Sequence, residues 1–220
     1  AYAPAIDSCG KSLSTIVVDE PYKYKNGKNV KNTSRSYKGA VTYRTAIANS
    51  INVCAVKVSD EISQELGFEY CEKFGISTLI KEKKTDAGVF SDINQTLALG
   101  GVTDGVYNYE LCAAYATIAN GGTYNTPTLY TKIVDHDGNV LLENPGESHQ
   151  AIKEGTASLL TSAMETVVTS GTGRSCQLNN MPVAGKTGTT SENFDRWFIG
   201  YSPYYVASVW YGYDTPASIE

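Results

Sequence analysis

Apolar residues recur at helical spacing between Tyr43 and Ile62 and at strand spacing between Val183 and Tyr213. A chain that must bury both a helical stripe and a sheet face has few ways to fold. In the first stretch Ala46, Ile47, Val53, Ala55, Val56, Val58 and Ile62 carry the pattern, with a break at Ser50 to Asn52. In the second, Val183–Thr190, Arg196–Tyr201 and Tyr205–Tyr213 read as three strands, joined at Asn193 and at Ser202-Pro203. Connections this short favour antiparallel pairing. Helices are also predicted over 63–74, stopped by Gly75, and over 107–119, where Leu111, Tyr115 and Ile118 share a face ahead of Asn120-Gly121-Gly122. Another is predicted over 151–168, ended by Ser170-Gly171-Thr172-Gly173. Tyr130–Val134 and Val140–Glu143 flank Asp137-Gly138, a hairpin signal. Residues 1–40 are turn-rich and read as loops and short strands, and 144–149 as a mobile connection. The sum is an α+β fold, a helical subdomain plus an antiparallel sheet.

Hydrophobic residues make up 41% of the chain and charged residues 19%, enough apolar content for a real core. The net charge of −5, without a long run of one sign, argues against a nucleic-acid partner held by phosphate contacts. No apolar run approaches the roughly 18 residues of a membrane span. Five cysteines occur without a C-x-x-C; Cys54, Cys71 and Cys112 sit among apolar residues and read as small buried thiols. The histidines are His136 and His149, both in polar, turn-like sequence. A Ser-His-Asp triad or a His-ligated metal is therefore not expected, and no metal or cofactor is predicted. Acyl-transfer chemistry on this chain would need lysine as its base.

Lys186-Thr187-Gly188-Thr189-Thr190 is the sharpest local string. It lies on an apolar strand, and Gly185 and Gly188 leave the backbone bare on both sides of Lys186, a pattern that marks close approach of a ligand or of another backbone. The competing reading is a solvated lysine on an edge strand. Ser50-Ile51-Asn52 is an S-x-N; chance gives roughly one copy in such a chain, and Ser191-Glu192-Asn193 is a second. Its position at a break between two apolar helices is more informative than its letters, although simple capping accounts for a Ser and an Asn there equally well.

In order and spacing the chain resembles the transpeptidase domain of class A penicillin-binding proteins. Ala1-Tyr2-Ala3-Pro4-Ala5-Ile6-Asp7 is similar to the stretch after that family's nucleophile motif, and Ser50-Ile51-Asn52-Val53 to its second motif. Leu99-Gly100-Gly101 and Ala119-Asn120-Gly121-Gly122 are similar to its central helices, and Gly171-Thr172-Gly173 precedes a third motif at Ala184–Thr190. Asp195–Tyr201 and Val209–Asp214 continue the likeness through the sheet. The first motif, S-x-x-K, is expected upstream of Ala1. Ser8-Cys9-Gly10-Lys11 is set aside, because it follows the Tyr-Ala-Pro-Ala stretch and places a glycine inside the turn that would aim Ser8 and Lys11 together. Residues 1–220 thus read as a partial domain, cut at both ends, without the nucleophile segment and without a closing C-terminal helix, leaving one sheet face and one edge exposed.

The resemblance implies serine acyl transfer at D-alanyl-D-alanine stem peptides of peptidoglycan, and acylation by β-lactam antibiotics. It implies Ser50, Asn52 and Lys186 as catalytic residues and Thr187, Gly188, Thr189 and Thr190 as substrate-binding residues. Lys186, Thr187 and Thr189 would hold the substrate carboxylate, Ser50 would relay a proton, and Asn52 would orient the first-motif lysine. It further implies a membrane-anchored parent protein on the extracytoplasmic face, with an upstream glycosyltransferase domain. A β-lactamase or β-lactam sensor of the same fold, and a non-catalytic scaffold, are the other functions such a chain could serve.

Overall fold

The computed structural model describes residues 1–86 and 88–219; Ala87 and Glu220, the last residue of the terminal stretch, lie outside the described residues. Helix α1 (Tyr2–Asp7) opens the chain, where loops and short strands were expected. Pro4 falls in its first turn, where a missing N–H costs little, and Ala5 and Ile6 are buried. Strand β1 (Ile16–Asp19) pairs antiparallel with β4 (Gly39–Thr42), and β2 (Tyr22–Lys23) with β3 (Asn29–Val30) between them. Helices α2 (Tyr43–Ala48) and α3 (Asn52–Ile62) flank the expected break. Helix α4 (Gln64–Lys73) is capped by the Ser63 hydroxyl, which accepts from the Leu66 amide.

A hairpin of β5 (Lys83–Thr85) and β6 (Gly88–Phe90) leads to a 3-10 turn at Gln95–Leu99. Helix α5 (Asn108–Ala119) follows. Strand β7 (Thr123–Asn125) pairs with β10 (Ser148–Gln150), and β8 (Lys132–Val134) with β9 (Val140–Glu143) across Asp137-Gly138. Two residues of the connection expected to be mobile, Ser148 and His149, are therefore paired in a strand; sequence pattern misses a strand this short because its partner is remote. Helix α6 (Glu154–Ser170) starts three residues later than its periodicity suggests. The chain closes with β11 (Ala184–Thr189), β12 (Asp195–Tyr201) and β13 (Val206–Gly212), an antiparallel sheet in chain order. Among the described residues no helix is long and apolar enough to cross a membrane.

Helix α6 packs on β11, and α5 on β12 and β13, so one sheet face turns toward the helices. By register Ala184, Tyr201 and Val206 share that face, as do Lys186, Ile199 and Ser208. Ala184, Ile199 and Tyr201 are buried there, and the Tyr201 and Thr161 hydroxyls lie 2.8 Å apart. The opposite face carries Phe198 and the exposed Val209 and Tyr211. On it the Phe198 ring lies over Gly185 and Gly200: a Cβ would meet the ring at 2.7 Å from either glycine. The bareness of Gly185 thus serves a neighbouring ring, not a ligand. Of the three thiols read as buried, Cys54 is, whereas Cys71 and Cys112 are only half-covered.

Asp7 ties α1 to the start of α6 across 146 residues of sequence. Its carboxylate accepts from the Lys153 amide at 2.8 Å, the Thr156 hydroxyl at 2.8 Å and the Tyr70 hydroxyl at 2.7 Å. Burial alone would raise its pKa, but these donors outweigh that and hold it below the ordinary aspartate value. Residue 153 lacks a side-chain cap of its own, so the helix start is capped from a distance.

Candidate active site

Helix α2 ends in a Schellman motif. The Ile51 amide donates to the Ala46 carbonyl and the Ser50 amide to the Ile47 carbonyl. This places Ser50 where glycine is usual, with a left-handed φ of 51°. Ile51 then buries itself beside Val41, Ala46 and Cys54, and α3 begins at once with Asn52. The turn holds Ser50 at the end of one helix and Asn52 at the start of the next. Neither side chain caps a helix, so capping does not explain them.

Lys186 meets this turn from the sheet. Its ammonium donates to the Ser50 hydroxyl at 2.7 Å and to the Thr187 carbonyl at 2.8 Å. Burial pushes the Lys186 ammonium down from 10.5 to about 8, because a half-buried cation loses hydration that these neutral acceptors only partly replace. Lys186 is therefore not a solvated edge lysine, although β11 is an edge strand. An ammonium has three N–H groups, and these two bonds leave one for a ligand.

The two walls border a cleft of about 960 Å³. Its polar end is lined by Asn49, Ser50, Asn52, Thr172, Lys186, Thr187, Gly188 and Thr189. Its apolar end is lined by Ile47, Phe74, Leu111, Tyr115, Leu160 and Met164. Ala98 and Leu99 also line the cleft. The loop that carries them is fixed by the buried Asp92, whose carboxylate accepts from the Ile80 amide, the Thr103 amide and the Thr103 hydroxyl.

The structure brings together six of the seven residues singled out from sequence. Thr190 is the one it sets apart: its hydroxyl bonds with Asp195 and closes the β11–β12 turn. The Asn52 amide group is engaged with the Lys31 carbonyl at 2.9 Å. Thr172 is a cleft residue to which sequence reasoning gave no role. Its hydroxyl lies 2.7 Å from that of Thr187. Its signal was the glycine on either side, since a Cβ at Gly171 would stand 2.1 Å from the Ala48 carbonyl oxygen.

A family model described as "Penicillin binding protein transpeptidase domain" matches residues 1–215. A "Penicillin-binding protein 1A" of Clostridium acetobutylicum is 37% identical over all of this chain, which spans 27% of that relative. A "Penicillin-binding protein 4" of Bacillus subtilis is 32% identical over all of this chain and 34% of its own length. Among solved structures, Mycobacterium tuberculosis PonA1 in complex with penicillin V superposes with a TM-score of 0.82 at 24% identity, over 99% of this chain and 61% of that one. Penicillin-binding protein 1A of Haemophilus influenzae gives a TM-score of 0.81 at 22% identity, over 98% and 37%. These likenesses show the fold, and the matched family covers every residue that lines the cleft. The chain belongs to the transpeptidase-domain family of the penicillin-binding proteins.

Proposed function

We propose that the intact protein is a serine D,D-transpeptidase that cross-links peptidoglycan stem peptides, and that Ser50, Asn52, Lys186, Thr187, Gly188 and Thr189 form one half of its acyl-transfer site. The observation that carries this is the 2.7 Å bond from Lys186 to Ser50 across the cleft, which joins a lysine of lowered pKa to a hydroxyl that can pass a proton onward. The remaining Lys186 N–H and one hydroxyl of the Thr172–Thr187 pair are suited to a terminal carboxylate such as that of D-alanyl-D-alanine. Thr190, bound to Asp195, takes no part.

The acylated serine is assigned to a segment outside residues 1–220. The one S-x-x-K in the chain is otherwise occupied: the Ser8 hydroxyl donates to the Pro4 carbonyl, Lys11 pairs with Glu61, and Gly10 has a φ of +67°. Attack by that serine expels D-alanine and leaves an ester; the amine of a neighbouring stem then displaces the serine. A β-lactam follows the first half of this course and leaves a slow ester. The protein acts on the extracytoplasmic face of the membrane, anchored and joined to a glycosyltransferase domain upstream.

Fluorescent penicillin should label the intact protein, with the adduct mapping by mass spectrometry to a serine outside residues 1–220. Lys186→Ala should nearly abolish labelling. An adduct on Ser8 or Ser50, or rapid hydrolysis of a chromogenic cephalosporin by the intact protein, would overturn the proposal.

A further inference from the structure

Between Pro21 and Ser59 the chain carries eight of its 18 basic residues and no Asp or Glu. At the chain's average acidic content a segment of this length would hold about four. The other residues carry ten basic side chains against 23 acidic ones, so a protein of net charge −5 is divided into a cationic arm and an anionic body. Two of the arm's cations are taken up by carbonyl, hydroxyl or carboxylate partners. Arg44 donates to the Ser162 carbonyl and the Thr166 hydroxyl, and Lys57 pairs with Glu20. The other six, Lys23, Lys25, Lys28, Lys31, Arg35 and Lys38, are exposed, and none forms an ion pair among the described residues. Of these, Lys25 donates to the neutral Gln64 side chain at 3.0 Å and Lys38 to that of Asn49.

The arm is fixed, and it is continuous with the cleft. Val30 is buried against Val53 and Val56. The Asn32 side chain donates to Asp19 and accepts from the Val53 amide. The Lys31 carbonyl holds Asn52, Lys38 donates to the Asn49 side chain at 3.3 Å, and Thr33 lines the cleft itself. Unpaired cations carried on a fixed backbone beside a cleft concentrate a polyanion near it, and several weak contacts on one polymer add through their effective concentration.

We infer that this arm docks the un-cross-linked peptidoglycan strand, a repeating polycarboxylate in which each stem peptide ends in a carboxylate, and holds neighbouring stems while one enters the cleft. The inference rests on the proposed transpeptidase function. Continuity with a cleft suited to a terminal carboxylate favours this occupant over other polyanions.

The test measures cosedimentation of the intact protein with purified un-cross-linked peptidoglycan strands, the cleft first blocked with penicillin so that only contacts outside it count. Binding by the parent sequence should fall steeply with added salt. The variant K23E/K28E/R35E should bind at least about tenfold more weakly, with K23Q/K28Q/R35Q intermediate. Strands whose carboxylates have been converted to amides should bind all three proteins equally weakly. Fluorescent-penicillin labelling should be unchanged in both variants, which also checks that they fold. Equal binding of strands by the variant and the parent sequence, undiminished binding of amidated strands, or a charge-dependent preference for anionic phospholipid vesicles or for a second copy of the chain would each overturn the inference. Failure of the parent sequence to take up penicillin would strike the transpeptidase proposal, separately from any result with strands.

Discussion

Thr172 joins both walls of the cleft: its amide donates to the Ala48 carbonyl at 3.1 Å, and its hydroxyl lies 2.7 Å from that of Thr187. One short turn therefore holds the Thr187 side chain in place and ties its strand to the helix that leads into the Ser50 turn. Thr172→Val keeps the shape and removes the hydroxyl. It should lower the second-order rate of penicillin acylation of the intact protein by about three- to tenfold, the worth of one ordinary hydrogen bond. Thr172→Ser should restore most of it. An unchanged rate in the valine variant would show that Thr187 needs no such support.

Lys186 gives the site its pH dependence. With a pKa near 8 in the folded protein, its positive charge is lost as pH rises through 8. Capture of a carboxylate-bearing β-lactam should then weaken above that pH, and stopped-flow acylation should show the falling limb. Lys186→Arg keeps its charge far above pH 8 and should remove that limb, whatever its absolute rate. A limb that persists in the arginine variant would assign the titration to another group.

Asp7 supplies a long-range cap. Asp7→Ala leaves the Lys153 amide and two hydroxyls without their acceptor, and should cost about 1–3 kcal/mol in denaturant unfolding of the intact protein. Because the folded-state pKa lies below the ordinary value of 3.8, the carboxylate's contribution is present above that pH and is lost as pH falls below it. The destabilisation caused by Asp7→Ala should therefore shrink in strong acid.

Tyr43 is 1% exposed, and its hydroxyl has no partner among the described residues. Its ring meets that of Tyr2 edge to face at 5.2 Å. Tyr43→Phe keeps the packing and removes a desolvated hydroxyl, so it should leave stability unchanged or raise it by about 1 kcal/mol. Burial also pushes the Tyr43 and Tyr115 phenols from 10 up to about 12. Between those values the unfolded chain releases protons that the folded one keeps, so stability should decline as pH climbs past 10. Tyr43→Phe should soften that decline; an equally steep loss in the variant would remove Tyr43 from the explanation.

The helices and the final sheet were legible because their patterns are local. The break at Ser50–Asn52 stands out between two apolar stretches, and β11 to β13 alternate around short connections. Much of the site followed, since Ser50 and Lys186 each sit in an informative string. What escaped depends on partners remote in sequence. Helix α1 is only six residues long and carries a proline, so its form rests on packing against α3, α4 and α6. Strand β10 exists through its pairing with β7. Thr172 looked like part of a glycine-rich stop until Ala48 and Thr187 were seen beside it. Gly185 was read as a place where a ligand or another backbone comes close; that the Phe198 ring is what comes close is a tertiary fact. Thr190 shared a string with Lys186, yet a hairpin turn directs its hydroxyl elsewhere.

At Ser50 the backbone would be better served by glycine, which adopts the left-handed turn without strain. Glycine would bring no hydroxyl to Lys186. The fold thus carries a small, permanent handicap at this corner. Ser50→Gly relieves the turn but takes an acceptor from Lys186, so the protein should melt close to its parent while losing acylation, and the hydroxyl at this corner serves chemistry at no net gain in thermal robustness.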